Sequence, residues 1–156
     1  MRILCDTREK TPWDFTTASN ITGNDSVEVK KLDTGDYTLE NFEDILCIER
    51  KKSAAELYGN ITEKRFHNEI IRMSEFPYKF LILEFSLSDI LNFPRGSGIP
   101  KTKWKYMKVR PQFVIKKLAE YSIKYNISII YAGNTDNAIY VATSLMKEVF
   151  RAYGSS

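Results

Sequence analysis

Histidine and cysteine are the scarce residues of this 156-residue chain: it has one His and two Cys. A zinc centre built from thiolates and imidazoles is therefore excluded. Cys5 and Cys47 both sit inside apolar, strand-like runs, which predicts reduced, buried thiols rather than a disulfide framework. No apolar run approaches the roughly 20 residues of a membrane span, and the apolar stretch in MRILCDTREK is too short for a signal peptide. The expectation is an intracellular protein, cytoplasmic or associated with the nucleoid or nucleus, with no membrane partner. Ser86 and Ser88 lack the Gly-x-Ser-x-Gly context, and neither a P-loop nor a dinucleotide fingerprint is present.

What is present is ordinary globular composition, 43% hydrophobic and 28% charged, at a length suited to one domain spanning 1–156. The net charge of +3 is small, but its distribution is uneven. From Pro94 to Lys117 there are eight bases, among them Arg95, Lys101, Lys103, Lys105, Lys108 and Arg110, and no acid. Gly96, Gly98 and Pro100 open this stretch as a loop, and Trp104 and Tyr106 interleave its lysines. Cations and aromatics on a loop suit a phosphate backbone and unstacked bases; a solvated loop with its aromatics folded inward is the plainer alternative.

Periodicity predicts strands over 2–6, 26–32, YTLE, 44–50, YKFLILEF and 127–133. Ser53 and Glu56 predict a capping box for a helix that Gly59 interrupts. Phe66, Ile70 and Met73 mark one face of a second helix, and Val114, Leu118, Tyr121 and Tyr125 one face of a third. Ala138, Ala142, Leu145 and Val149 line the last, with Tyr140, Met146, Phe150 and Tyr153 off that stripe. This order predicts an α/β, three-layer domain around a mixed sheet. The broad apolar girth of the last helix predicts a second packing partner.

The chemistry concentrates in LDTGDYTLENFEDILCIERKKS, residues 32–53. Along a strand ending at Lys51, Glu49 and Lys51 project to one side and Arg50 to the other. If the strand from Tyr37 pairs with it, Asp36 lies beside Glu49. Two converging carboxylates repel, and a divalent cation relieves them; Mg²⁺ takes one or two carboxylates and keeps waters for exchange with phosphate oxygens. Lys51 can then orient a water or offset charge gathering on the phosphate. An acid-x-Lys pattern alone carries little information, and Glu28-Val-Lys30 is a decoy with no glycine-aspartate turn a dozen or so residues upstream.

The conjunction Cys5-Asp6-Thr7-Arg8-Glu9, Gly35-Asp36-Tyr37 and Ile48-Glu49-Arg50-Lys51 resembles the nuclease domain of XPF-type structure-specific endonucleases. Their signature is Gly-Asp, a variable stretch, Glu-Arg-Lys, three residues and Asp. The similarity continues through Leu57–Ile61, Arg65 and Leu81–Phe85 and covers nearly the whole chain. It implies a restriction-endonuclease-like fold, with Asp36 and Glu49 as metal ligands and Lys51 as the catalytic lysine. Asp6 would be a further acid at the metal, and Arg8 and Arg50 basic groups that handle phosphate or brace the carboxylates. The cofactor implied is Mg²⁺, with Mn²⁺ as a substitute. The partners implied are branched, flapped or forked DNA and either a second copy paired through the C-terminal helix or a separate targeting subunit. Arg65 is a basic position on the helix behind the centre, with an i,i+4 pair to Glu69 as its structural alternative.

Two departures stand out. The last signature acid falls at Ala55, with Glu56 one residue later, either a shifted substitute or only a helix cap. The tandem helix-hairpin-helix domain of many relatives is not seen before Ser156, so the chain is a free-standing nuclease or an excised domain. His67 reads as a surface residue, and Glu84 either as a strand-end acid or as one facing the metal. Two other functions stay open: a non-catalytic DNA-binding or scaffolding module, and a nuclease acting on RNA or simple DNA ends.

Overall fold

Alternation of apolar side chains along the central strands decides the architecture. In a computed structural model that describes residues 1–154, six strands form one mixed sheet in the order β2-β1-β3-β4-β5-β6. They are β1 (Arg2–Cys5), β2 (Ser26–Val29), β3 (Tyr37–Leu39), β4 (Leu46–Lys51), β5 (Tyr78–Leu83) and β6 (Ser128–Tyr131). The helices are α1 (Ala54–Asn60), α2 (Lys64–Met73), α3 (Leu87–Leu91), α4 (Pro111–Lys124) and α5 (Thr135–Gly154). Ser155 and Ser156, the end of the expected domain, lie outside the described residues.

Strands β3 and β4 are antiparallel, as are β1 and β3, while β4, β5 and β6 run parallel. Parallel neighbours need crossovers, and these carry α1 and α2, then α3 and α4. One sheet face, with Cys47, Leu81 and Leu83, packs on Leu57, Phe66, Ile70, Met73, Val114, Leu118 and Tyr121 of those helices. The other, with Ile3, Tyr37, Leu46, Ile48 and Ile82, packs on Ala138, Ile139, Ala142, Met146 and Val149 of α5 and on Trp13 and Phe15. Burying each such Leu, Ile or Phe side chain is worth roughly 1.5–3 kcal/mol. The restriction-endonuclease-like three-layer fold is therefore held from both sides of β4.

Three local expectations change. Met146 belongs to the buried stripe of α5 and Leu145 to its margin, because the helix presents adjacent apolar residues and the sheet selects one. Gly59 does not interrupt α1, which runs through it to Asn60; packing of Leu57 and Tyr58 outweighs the ~1 kcal/mol helix cost of glycine. The capping box is half made: Ser53 accepts from the Glu56 N–H, but the Glu56 carboxylate reaches back to the Lys52 N–H instead.

Candidate active site

Gly35 begins the site. Its φ is +83°, and a Cβ there would meet Cys47 Sγ at 2.6 Å and the Ile48 carbonyl oxygen at 3.1 Å. Only glycine lets the turn lie that close to β4. The Asp36 N–H then donates to the Ile48 carbonyl at 2.8 Å, and the Arg50 N–H donates to Asp36 Oδ2 at 2.9 Å. Tyr37 pairs with Ile48 in antiparallel register, so Asp36 stands beside Glu49, as the turn-and-strand pattern predicts.

Glu49 and Lys51 project to the same face of β4. Lys51 Nζ lies 3.3 Å from Glu49 Oε2, 3.9 Å from Glu56 Oε1 and 4.5 Å from the centre of the Phe66 ring. Glu49 Oε1 is buried with no hydrogen-bond partner among the described residues. Burial pushes the Glu49 carboxyl well up from the ordinary range, and the adjoining Asp36 charge adds to it. Asp36 is raised by burial too, against the opposing effect of its hydrogen bond to Glu49. Burial would depress the Lys51 ammonium, but Glu49, Glu56 and Glu69 outweigh it and raise its pKa.

These groups open into a polar cleft of about 600 Å³ whose walls include Asp6, Arg8, Glu9, Glu56, Arg65 and Glu69. An unpartnered, buried carboxylate oxygen beside a second carboxylate is an arrangement that a divalent cation would complete. Asp36 and Glu49 are the two acids that could hold one here. No group of three or more His, Cys, Asp or Glu suited to a metal is found among the described residues.

Asp6 sits in the wall with both oxygens engaged. Oδ2 accepts from Arg8 Nε at 2.7 Å and Oδ1 from the Leu32 N–H at 2.8 Å. Burial would raise its pKa, but these bonds and the Arg8 charge hold it below the ordinary value. Arg8 also donates Nη2 to the Leu32 carbonyl at 2.7 Å, while its side chain stays largely in solvent.

Arg50 lines the cleft, where its Nη1 lies 3.6 Å from Glu9 Oε1, but its hydrogen bonds go to a different network. Nε and Nη2 donate to Glu84 at 2.6 and 2.9 Å, Nη1 donates to the Thr11 carbonyl at 2.6 Å, and the group lies over Trp13. Thr135, at the start of α5, also donates to Glu84. Glu84 is thereby paired on the Arg50 side of β4, which settles its two alternatives in favour of the strand-end brace. Arg65 stands 87% exposed on the rim and pairs with Glu63 at 3.6 Å, not with Glu69. His67 is half-buried, edge-on to Tyr125, and does not line the cleft. Glu28 of the decoy pairs with Arg2 on the edge strand.

None of Lys101, Lys103, Trp104, Lys105, Lys108 and Arg110 lines the cleft. Residues 101–106 form a 3-10 helix, in which the half-buried Trp104 donates its indole N–H to the Ile99 carbonyl at 2.9 Å. Tyr106, at 70% exposure, is the open ring of that segment. Lys108 and Arg110 instead line a separate slot with Phe113.

Among the cleft residues that sequence reasoning gave no site role is Glu69, which stands close enough to push the Asp36 and Glu49 carboxyls up. Arg65, Glu69 and Arg72 all line the cleft at i, i+4 and i+7 of α2. That polar stripe opposite Phe66, Ile70 and Met73 was the available signal.

A mixed sheet that brings a glycine-aspartate turn against a Glu-Arg-Lys strand end is the arrangement that the resemblance to XPF-type nuclease domains implies. The chain belongs to the ERCC4 domain family, whose sequence model matches residues 6–145. Among solved structures it is similar to XPF from Aeropyrum pernix, at 18% identity and a TM-score of 0.71, over 99% of this chain and 68% of that one. It is also similar to the same organism's XPF in complex with DNA, at 19% identity and a TM-score of 0.69, over 97% of this chain and 66% of that one. The chain thus spans about two thirds of the length of these proteins. Comparison with curated protein sequences gives no match.

Proposed function

We propose that this domain is a divalent-metal-dependent endonuclease that hydrolyses phosphodiester bonds in branched, flapped or forked DNA. The observation that carries the proposal is the orphaned Glu49 Oε1, buried beside Asp36 and Lys51 in a polar cleft. Asp36 and Glu49 would hold Mg²⁺, with Mn²⁺ as a substitute. Held there, the ion would supply Lewis-acid chemistry, activating water and polarising the scissile phosphate. Lys51 supplies a fixed cation at the edge of the acid pair, where charge gathers on the phosphate during attack. Asp6, which accepts from Arg8 and from the Leu32 N–H, would hold Arg8 in place and keep lone pairs facing the metal as a further acid, and Arg8 has Nη1 left to meet a phosphate oxygen. Arg50 braces the strand end through Glu84. Glu56, close to Lys51, acts as its second carboxylate partner.

Incubation of labelled forked and linear duplexes with Mg²⁺, and then with EDTA, tests this. Cuts near the junction that stop with EDTA are expected; binding without cutting in Mg²⁺ or Mn²⁺ would favour the scaffolding module, and equal cutting of RNA would move the substrate class.

Grip on the duplex outside the cleft is assigned to Lys101, Lys103, Lys105 and Tyr106, with Arg65 at the cleft rim. Each phosphate that a lysine no longer neutralises should lower the salt slope of binding by about one unit. Lys103→Ala combined with Lys105→Ala is therefore expected to weaken DNA binding and flatten its dependence on salt by about two; an unchanged slope in a titration series would return that segment to simple solvation.

A second copy is proposed to pack on α5, where Tyr140, Phe150 and Tyr153 remain 50%, 42% and 40% exposed after the sheet has taken its stripe. Phe150 and Tyr153 lie against Phe42, and Tyr153 against Tyr78, so the patch continues onto the sheet end. Light scattering should give twice the chain mass for the parent and a single chain mass for Phe150→Asp; a monomeric parent would leave the separate targeting subunit as the partner.

A further inference from the structure

The slot at the start of α4 lies outside the cleft and serves no step of hydrolysis there. It is a shallow, open depression of about 490 Å³ lined by Thr62, Lys108, Val109, Arg110, Gln112 and Phe113. Phe113, on the first turn of α4, is 41% exposed and forms its aromatic wall. Lys117 Nζ stands 5.8 Å from the Phe113 ring centre. Val109 packs against the helix-side core, so the backbone of this segment is anchored. Neither Lys108 nor Arg110 enters a salt bridge among the described residues. No acid lines the slot.

The slot also has a fixed relation to the cleft. Thr62 lies in the turn between α1 and α2, and Asn60 at the end of α1 and Glu63 of that turn line the cleft. One turn of backbone therefore borders both.

We infer that this slot holds an unpaired nucleotide of the DNA strand next to the cleavage site, its base stacked on Phe113 and its flanking phosphates met by Lys108 and Arg110. The inference rests on the nuclease reading for its substrate class. An exposed ring that shares its depression with Lys108 and Arg110 matches the two needs of a single strand, a π-face for the base and positive charge for the backbone. A duplex offers no free base face. The slot accordingly assigns the domain a means of distinguishing DNA with an unpaired arm from a plain duplex. It also separates the roles of the basic segment, with residues 101–106 contacting phosphate and residues 108–113 accepting a splayed strand.

The test uses the Asp36→Asn background, so that DNA stays intact, and compares a fork carrying a single-stranded arm with a blunt duplex of the same length. A 2-aminopurine at each of the first arm positions reports stacking. The arm should tighten binding about tenfold, with fluorescence quenched at one or two positions. Phe113→Ala should bring the two affinities together and restore fluorescence, whereas Phe113→Trp should keep both effects. Equal arm dependence with and without the ring would overturn the inference, as would an arm that adds nothing in the parent; a slot that receives a partner protein's side chain gives that second result. Cutting by the wild-type protein is scored separately, so absence of metal-dependent cutting with arm-dependent stacking intact would remove only the nuclease reading.

Discussion

Asp36→Asn is expected to make the metal-free protein more stable and the protein inactive. Both Asp36 and Glu49 have folded-state pKa values raised by burial, which means the folded chain binds protons that the unfolded chain has already released. That contribution to stability is present below the unfolded carboxylate pKa and is lost as pH rises through the raised folded values. Near pH 8 the acid pair is therefore a strained feature of the empty cleft. The introduced amide keeps an oxygen for the Arg50 N–H and places an N–H₂ donor beside the orphaned Glu49 Oε1. A gain of about 1–2 kcal/mol at pH 8 follows from satisfying that acceptor, and it should shrink as pH falls toward 4. Millimolar Mg²⁺ should raise the melting temperature of the parent by mass action and leave the variant unmoved. Cutting should fall at least about a hundredfold, because even the groups behind a metal ligand are worth that much. A variant that is less stable at pH 8 and still gains stability from Mg²⁺ would show that Asp36 and Glu49 do not hold the ion together.

The parts of this site that were legible in the sequence are those set by strand geometry. Period-two alternation alone separates Glu49 and Lys51 from Arg50, and an antiparallel return from Gly35 sets Asp36 opposite Glu49. The destination of Arg50 was not legible. Its partners Thr11, Trp13 and Glu84 come from an aperiodic loop and the next strand, and no local pattern aims them. Asp6 illustrates the same limit. Its position near the centre follows from the end of β1, but the capture of both its oxygens by Arg8 and Leu32 is a tertiary fact. In the basic segment, charge was visible and geometry was not. Trp104, the more conspicuous ring, folds back to bond Ile99, while Phe113 stands open on the next helix. On α5, Leu145 and Met146 are adjacent and equally apolar, so only the sheet beneath could choose Met146.

Arg50 provides the second large effect, and its sign decides between bracing and phosphate handling. The side chain is 5% exposed, and Glu84, its bidentate partner, is 1% exposed. Removing one member of such a pair leaves a buried charge unmatched and costs roughly 3–5 kcal/mol. Arg50→Met should accordingly lower the urea midpoint strongly, and the loss should include the packing on Trp13 and the bond to the Thr11 carbonyl. Glu84→Leu introduced into that background should recover part of the loss, since the unmatched Glu84 carboxylate is removed while Glu9, the other acid beside Arg50, keeps its pair with Lys52. The coupling from the double-mutant cycle should exceed about 1 kcal/mol, as for residues sharing one buried network. If Arg50 instead met the DNA, Arg50→Met would unfold at nearly the parent's urea midpoint and lose affinity, with no coupling to Glu84. The observed geometry favours the first outcome for a reason of chain economy: β4 uses one side chain, on its far face, to lock the loop from Asp6 to Thr11 and the start of α5 to the same strand end that presents Glu49 and Lys51. A site made of two crowded carboxylates gains from such an anchor, because it adds to what the Arg50 N–H and Lys51 already do to hold Asp36 and Glu49 in place.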